Sequence, residues 1–346
     1  MTNGELAELL AVAADHEGDH RARALRRASR AALQWPEEAS ALLADGRSLT
    51  ELRAVGPWVA QLVRGWVEDP PDPPHASPLR TGFLTLAEVR MTVAEHPEWR
   101  RDIRADLQMH TTYSDGRAPL REMADAAASY GYEHVAVTDH SKGLPIANGM
   151  DEGRLLGQIG DIDAANAELE AAGATLRLVR SIEMNLSPEG EGDMDPAVLA
   201  RLDLVLAAFH SKLRVVEDQT DRYLAAVSNP SVDILGHPRG RRWNHRLGLT
   251  ADWPRVMAAA ADAGTALEID AYPDRQDLDV DLAGLAGEAG CWISIGTDAH
   301  TPAELRYMEF GIASAIRAGI PRERVLNFLR REELVEWAAA RRATTL

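Results

Sequence analysis

Cysteine is nearly absent: of 346 residues, only Cys291 carries a thiol. A single thiol excludes an intrachain disulfide and a cysteine-based zinc site, and it fits a reducing compartment. Cys291 lies in the apolar run Cys291-Trp292-Ile293-Ser294-Ile295, where it reads as a small buried hydrophobe rather than a reactive thiol. Lysine is scarce as well, with Lys142 and Lys212 alone, so positive charge rests on arginine. No apolar run approaches the ~20 residues that span a bilayer, so no membrane partner is expected. The first ten residues lack a basic start followed by an apolar stretch, which points to no signal peptide and to a cytoplasmic location. Net positive charge is missing too: the balance is −17. Such acidity argues against broad nonspecific nucleic-acid binding through the overall field, but leaves room for a local basic groove. Clustered Asp and Glu are also what hard cations need.

What is present is ordinary for a soluble globular chain, with 45% hydrophobic and 26% charged residues, and it is long enough for a large domain plus a small one. Residues 1–68 read as a helical domain. The stretches 5–14 and 21–33 are rich in Ala, Leu and Arg at helical spacing, and Pro36 starts a further short helix. The segment 49–63 reads as a helix, a tight turn at Gly56 and a second helix, a helix-hairpin-helix. In 69–83 a proline-rich linker follows, since the four prolines of Asp69-Pro70-Pro71-Asp72-Pro73-Pro74 cannot continue a helix. A connecting helix is expected over 84–102, and the main domain over 103–341.

From Arg104 the pattern alternates between β and α. Strands are expected at 105–109, 134–138, 176–183, 204–209, 232–235, 265–269 and 292–296. Helical stretches at 120–130, 253–263, 279–289 and 301–318 are each followed by a glycine. Seven strands alternating with helices imply a parallel sheet, either doubly wound or closed as a barrel. The strand ends favour the barrel. Gln108 and His110 end the first strand, His140 follows the second, and Glu183 ends the third. His210 and His237 end the fourth and fifth, the sixth runs through Glu268 to Asp270, and Asp298 and His300 follow the seventh. In a (β/α) barrel these ends converge on one face. Of the eleven histidines, seven lie in this domain, and only His134 and His245 are away from strand ends. A lone histidine is usually structural; five at equivalent positions beside carboxylates indicate a shared metal site. Imidazole and carboxylate without thiolate suit Zn²⁺, Mn²⁺ or Fe²⁺ over Ca²⁺ or Mg²⁺. So many candidate ligands imply two or three ions, with Glu183 able to bridge a pair, an arrangement suited to phosphate ester hydrolysis.

Asp106-Leu107-Gln108-Met109-His110-Thr111-Thr112-Tyr113-Ser114-Asp115-Gly116 resembles the first motif of the PHP (polymerase and histidinol phosphatase) family, and Val137-Thr138-Asp139-His140-Ser141 its second. Glu183, Phe209-His210-Ser211, Gly236-His237-Pro238 and Thr297-Asp298-Ala299-His300 follow in the family's order. The stretch 139–149 and Leu267-Glu268-Ile269-Asp270 are similar to the C-terminal PHP domain of bacterial family-X DNA polymerases. The N-terminal helices resemble those of the same polymerases. Too few residues separate the two regions for a polymerase palm, so no polymerase activity is expected. The resemblance implies a distorted seven-stranded (β/α) barrel behind a small all-helical domain. It implies one metal on Gln108, His110, Glu183 and Asp298, a second on Glu183, His210 and His237, and a third on Asp115, His140 and His300, with a hydroxide as nucleophile. The family's first motif usually reads His-x-His; here Gln108 takes the first place, and a neutral amide oxygen ligates more weakly and favours a harder ion such as Mn²⁺.

Around these positions, Asp139, with Asp270 in a similar position, is a candidate for orienting ligands. Lys142 and Arg239 are candidates for charge stabilisation, and Lys212, Arg239, Arg242 and His245 for phosphate contact, as arginine forks suit phosphate. Arg23 and Arg27, within the cluster Arg21, Arg23, Arg26, Arg27 and Arg30, and Gly56 at the hairpin are candidate DNA contacts. The hairpin departs from a Gly-hydrophobic-Gly turn, with Ala54 in the first place and Pro57 removing a donor. Three readings stand: a DNA 3′–5′ exonuclease or 3′-end phosphoesterase, with a separate polymerase or repair partner supplying what the chain lacks; a small-molecule phosphomonoesterase of the histidinol-phosphatase kind; and a non-catalytic metal- and DNA-binding module.

Overall fold

The computed structural model describes residues 1–72 and 74–344, so Pro73 of the expected linker lies outside the described residues. Contacts divide the chain into two units, residues 1–96 with 243–245, and residues 97–242 with 246–346.

The first unit is helical: α1 (Asn3–Asp15), α2 (Asp19–Ala32), α3 (Ala39–Ala44), α4 (Pro57–Glu68) and α5 (Leu86–Glu95). Reciprocal capping boxes start α1, from Thr2 and Glu5, and α5, from Thr85 and Glu88, satisfying amides that a first turn leaves unpaired. Leu6, Leu10, Leu25, Trp35, Leu42 and Val63 meet in one buried core. Two expectations change here. The first helix of the hairpin is a single 3₁₀ turn, Leu49–Glu51, closed by Ser48 and Glu51, because Leu52 returns to extended backbone and Ala54 turns left-handed with φ 64°. The connecting helix over 84–102 is two helices, α5 and α6 (Pro97–Asp102), broken at His96, where φ −130° and ψ 57° leave the helical region ahead of Pro97. Residues of the expected linker also group with the helical unit: Arg80 pairs with the buried Glu8 at 2.6 Å, and Leu86 N–H donates to Leu33 O at 2.8 Å.

The second unit is α/β with parallel sheets. Its strands are β1 (Ala105–Met109), β2 (His134–Val137), β3 (Arg177–Arg180), β4 (Glu183–Leu186), β5 (Leu206–Phe209), β6 (Ile234–Leu235), β7 (Ala266–Asp270) and β8 (Ile293–Gly296). They form a three-stranded sheet, β1-β2-β3, and a five-stranded sheet, β4-β5-β6-β7-β8, with every pairing parallel. The expected continuous strand over 176–183 is therefore two. Its first part pairs with β2 and its second with β5, and the chain changes sheet at Ser181-Ile182. Single parallel bridges join the sheets, His140 to Glu183 at the start of β4 and Met109 to Ala299 beyond β8. Helices α7 (Leu120–Ser129), α8 (Glu152–Ala171), α9 (Pro196–Leu199), α10 (Thr220–Val227), α11 (Trp253–Ala263), α12 (Val280–Glu288), α13 (Met308–Arg317) and α14 (Arg331–Thr344) complete the unit. The helix expected over 301–318 begins instead as a 3₁₀ stretch, Pro302–Tyr307, since Glu304 is drawn back to accept from the His300 and Thr301 amides. Leu107, Val179, Leu206, Ala208, Ile234 and Ala266 fill the space between strands, and Leu326 and Leu334 join the same core. Among the described residues no helix is long and apolar enough to cross a membrane.

Candidate metal centre

Parallel strands deliver their C-terminal ends to one side, and the polar residues at those ends are buried together. Gln108 and His110 come from β1, His140 from the turn after β2, and Glu183 from the start of β4. His210 follows β5, and His237 the short β6; Asp298 and His300 follow β8. His110, Asp115, His140 and His300 offer ligand atoms within 4.8 Å of one another; so do His140, Glu183 and His210, and so do His110, Glu183 and Asp298. His237 joins through Glu183, its Nε2 2.8 Å from Oε1. Glu183 thus touches four imidazoles: His110 at 3.4 Å, His140 at 3.1 Å, His210 at 3.0 Å and His237 at 2.8 Å.

The manner of these contacts fits a cation better than a hydrogen-bond network. His110 Nε2 is 3.0 Å from Asp298 and His140 Nδ1 is 3.1 Å from Glu183, yet neither nitrogen has a hydrogen-bond partner. Buried polar atoms this close without a hydrogen bond call for another partner, and an ion shared between them is one. His300 Nδ1 lies 2.8 Å from Asp298 O and His210 Nδ1 3.1 Å from Asn185 Oδ1. Donation from His210 Nδ1 leaves its Nε2 lone pair available, the tautomer a ligand requires, whereas at His300 burial is outweighed by Asp115 and Asp298, which push the imidazole up to about 10. Burial pushes His140 down to about 3, so its imidazole is neutral. Burial opposes the Glu183 charge, but contact with the imidazoles around it, including the hydrogen bond with His237 Nε2 at 2.8 Å, holds the carboxyl well below its usual range. The donor set of imidazole and carboxylate, without thiolate, fits borderline divalent ions. His237 and Asp298 also adopt left-handed backbone, φ 26° and 51°, a strain of about 1–3 kcal/mol each that tends to cluster at functional sites.

Asp139 is fully buried and positions the loop that carries Asp115. Its carboxylate accepts from the Thr111 amide and hydroxyl at 2.9 and 2.7 Å, from the Ser114 amide and hydroxyl at 3.0 and 2.5 Å, and from Gln158 at 2.6 Å. Asp270, also buried, lies 3.7 Å from Arg275, and burial raises its carboxyl well above the usual range.

Beside Asp115, Asp298 and His300 opens a cavity of about 500 Å³, lined also by Arg117, Arg242, Tyr272, Asp274, Arg275 and Glu304. Arg275 is 3.1 Å from Asp298, Arg242 is 3.2 Å from Asp274, and the exposed Arg117 side chain has no partner among the described residues. Of the arginines expected to meet phosphate, only Arg242 lines this cavity. Arg239 is held by Asp279 at 2.6 Å, and Arg241 shares that carboxylate at 3.1 Å, because a buried guanidinium requires a counter-charge. Lys142 is likewise committed, to Glu152 at 2.5 Å. Lys212 is exposed and His245 groups with the helical unit, so neither is brought to the cavity lining. Arg117, Tyr272 and Arg275 escaped the sequence reading; the nearest signal was position, Arg117 two residues beyond Asp115 and Arg275 five beyond Asp270.

In the helical unit, Arg23 and Arg27 are exposed on α2, and Gly56 caps α4 with no side-chain bond. Arg27, Thr50, Ala54, Gly56 and Trp58 share a second cavity of about 500 Å³.

Residues 106–247 match the PHP domain family. The DNA polymerase/3′-5′ exonuclease PolX of Bacillus subtilis is 39% identical over 226 residues, which cover 65% of this chain and 39% of the polymerase. The chain thus matches well under half the length of that relative. A probable phosphatase of Edwardsiella ictaluri is 28% identical over 233 residues, covering 64% of this chain and 89% of that protein. A crystal structure of the histidinol phosphate phosphatase of Lactococcus lactis, with zinc, L-histidinol and phosphate, is similar at a TM-score of 0.44 and 17% identity, covering 63% of this chain and 95% of that one.

Proposed function

We propose, from the match of residues 106–247 to the PHP domain family, that the chain is a metal-dependent phosphoesterase, acting on DNA as a 3′–5′ exonuclease or 3′-end phosphoesterase. The observation that carries the hydrolase reading is the convergence of five imidazoles with Asp115, Glu183 and Asp298, in which the His110–Asp298 and His140–Glu183 contacts lack hydrogen-bond geometry. We read Gln108, His110, Asp115, His140, Glu183, His210, His237, Asp298 and His300 as the ligands of two or three Zn²⁺, Mn²⁺ or Fe²⁺ ions. Such ions supply Lewis-acid polarisation of a phosphoryl group and activation of water. The protein's own part is positioning. Asp139 holds the Asp115 loop, and Arg117 and Arg242 face the cavity where phosphate oxygens would lie. We read β3 and β4 as one interrupted strand, so that seven strands close into a distorted barrel around this site.

DNA as substrate is supported by the likeness to PolX and by the exposed arginines of α2. A phosphomonoester is the second reading, supported by the likeness to the probable phosphatase along most of its length. The test is turnover with Mn²⁺ or Zn²⁺ of a 3′-recessed DNA duplex and of a generic phosphomonoester in parallel. DNA shortening that falls by on the order of 100-fold in His210→Ala is expected, since that change removes a ligand outright. Monoester turnover without DNA cleavage would replace the substrate; metal binding without turnover of either would leave only a binding module.

A further inference from the structure

The cavity beside Asp115, Asp298 and His300 encloses about 500 Å³, room for a small-molecule ligand and far more than one phosphate group fills. Three guanidiniums and four carboxylates line it. Most of these charges are matched within the lining. Arg242 pairs with Asp274 at 3.2 Å and Arg275 with Asp298 at 3.1 Å. Glu304 accepts from the Tyr272 hydroxyl at 3.0 Å and from the His300 amide at 2.9 Å, and Asp115 stands 3.2 Å from His300. Arg117 is different: its guanidinium meets no carboxylate among the described residues. An exposed arginine alone would signify little, but this one is fixed at the cavity wall. Its amide donates to His300 O at 2.8 Å, and the preceding Gly116 is packed so closely that a Cβ would stand 2.6 Å from the Thr111 amide nitrogen. Positive charge also gathers here against a balance of −17. Arg246 is half-buried, and burial, then Arg275, Arg214 and Arg242, push its guanidinium down to about 10. Guanidiniums held together against their mutual repulsion suit a multiply charged anion, and arginine forks match phosphate geometry.

We infer that this cavity receives the phosphate next to the one being cleaved, with Arg117 as its principal contact, so that the site takes a phosphodiester strand in preference to an isolated ester. The inference rests on reading the site as a DNA phosphoesterase. The scissile phosphate has to reach the imidazole–carboxylate clusters, and Asp115, Asp298 and His300 of those clusters form one wall of the cavity. A strand continuing from that wall brings its next phosphate among the arginines. An isolated ester leaves Arg117 without a counter-charge and most of the volume to water. A hydrogen-bonded contact between charged groups, once lost, weakens binding by about 10–100-fold.

The test uses the full chain loaded with Mn²⁺ or Zn²⁺, whichever supports turnover, and two thymidine trinucleotides. They differ only at the linkage before the scissile one, a phosphate in the first and an uncharged methylphosphonate in the second. The value of kcat/KM for release of the 3′-terminal nucleotide is read for the parent, Arg117→Gln and Arg117→Lys, with thermal unfolding as the folding control. The parent should favour the all-phosphate strand by about tenfold or more. In Arg117→Gln that ratio should fall most of the way to one. Arg117→Lys keeps the charge without the fork and should retain part of the ratio. Both substrates share the scissile bond, so an arginine serving the scissile phosphate would lower both values alike and leave the ratio intact. That result, or a parent without preference, would overturn the inference while leaving the phosphoesterase reading standing. A parent that cleaves neither strand would overturn the DNA reading and this inference with it.

Discussion

His134 and His140 lie six residues apart, both buried, and have opposite surroundings. His140 stands among carboxylates and imidazoles, whereas neither ring nitrogen of His134 has a hydrogen-bond partner. Burial pushes His134 down to about 4, with Glu133, Arg331, Glu332 and Arg104 as smaller influences. A histidine depressed in the folded state leaves the unfolded chain to bind the extra proton. Stability is therefore intact above the unfolded value of about 6.5 and is lost as pH falls towards 4. Between pH 7 and pH 5 the loss is about 2 kcal/mol. His134→Leu is expected to shrink the pH 7 to pH 5 difference in urea unfolding of the metal-free chain by about that amount, leaving the contribution of the similarly depressed His140 in place. Asp139 gives a second prediction at this scale. Five donors converge on its carboxylate, so Asp139→Ala strands several of them in the interior. A stability loss of about 3 kcal/mol is expected, with weaker metal retention because the Asp115 loop is no longer held; unfolding and metal analysis of the same variant read both.

Among the elements, the turn before α4 carries a cost that its sequence makes visible. Ala54 sits at φ 64°, a conformation that crowds a Cβ against the following carbonyl and favours glycine. Ala54→Gly is expected to stabilise the helical unit by about 1 kcal/mol, seen as a rise in the unfolding midpoint of that unit by calorimetry. No rise would mean that the greater unfolded-state freedom of glycine cancels the relief. Helix α14 shows the opposite economy. Arg341 and Arg342 both reach the fully buried Asp233, which also accepts the Val205 amide at 2.8 Å, so one carboxylate ties the last helix to the sheet. Its removal would leave guanidinium groups without that counter-charge.

For the whole molecule, charge and substrate have to be reconciled. A balance of −17 repels a polyanion at long range, so any DNA contact depends on local arginines. Arg23 and Arg27 are exposed on α2 and engage no partner among the described residues. If the proposed DNA substrate is right, Arg23→Glu with Arg27→Glu should weaken binding of a duplex oligonucleotide. The slope of log affinity against log salt should then be shallower by about two, while turnover of a small phosphomonoester stays unchanged. Equal salt slopes for parent and variant would remove the helical unit from DNA binding.

The linear chain determined a great deal by itself. Alternating apolar runs and glycine-terminated helices mark β and α segments because side-chain periodicity and backbone freedom are local properties. The recurrence of His, Asp or Glu at the end of each run points to one site, because parallel strands must deliver those ends to one side. Tertiary structure decided what depends on partners distant in sequence. Of residues 176–183, Arg177–Arg180 pair with β2 and only Glu183 belongs to the strand that pairs with β5, so the run divides between two sheets. Arg239 is drawn to Asp279, some 40 residues away, and Lys142 to Glu152, so charges that looked available are already neutralised. Arg117, Tyr272 and Arg275 share a cavity only once the loops after β1, β7 and β8 fold together. Periodicity is written along the chain; the pairing of buried charges depends on which side chains become neighbours in space.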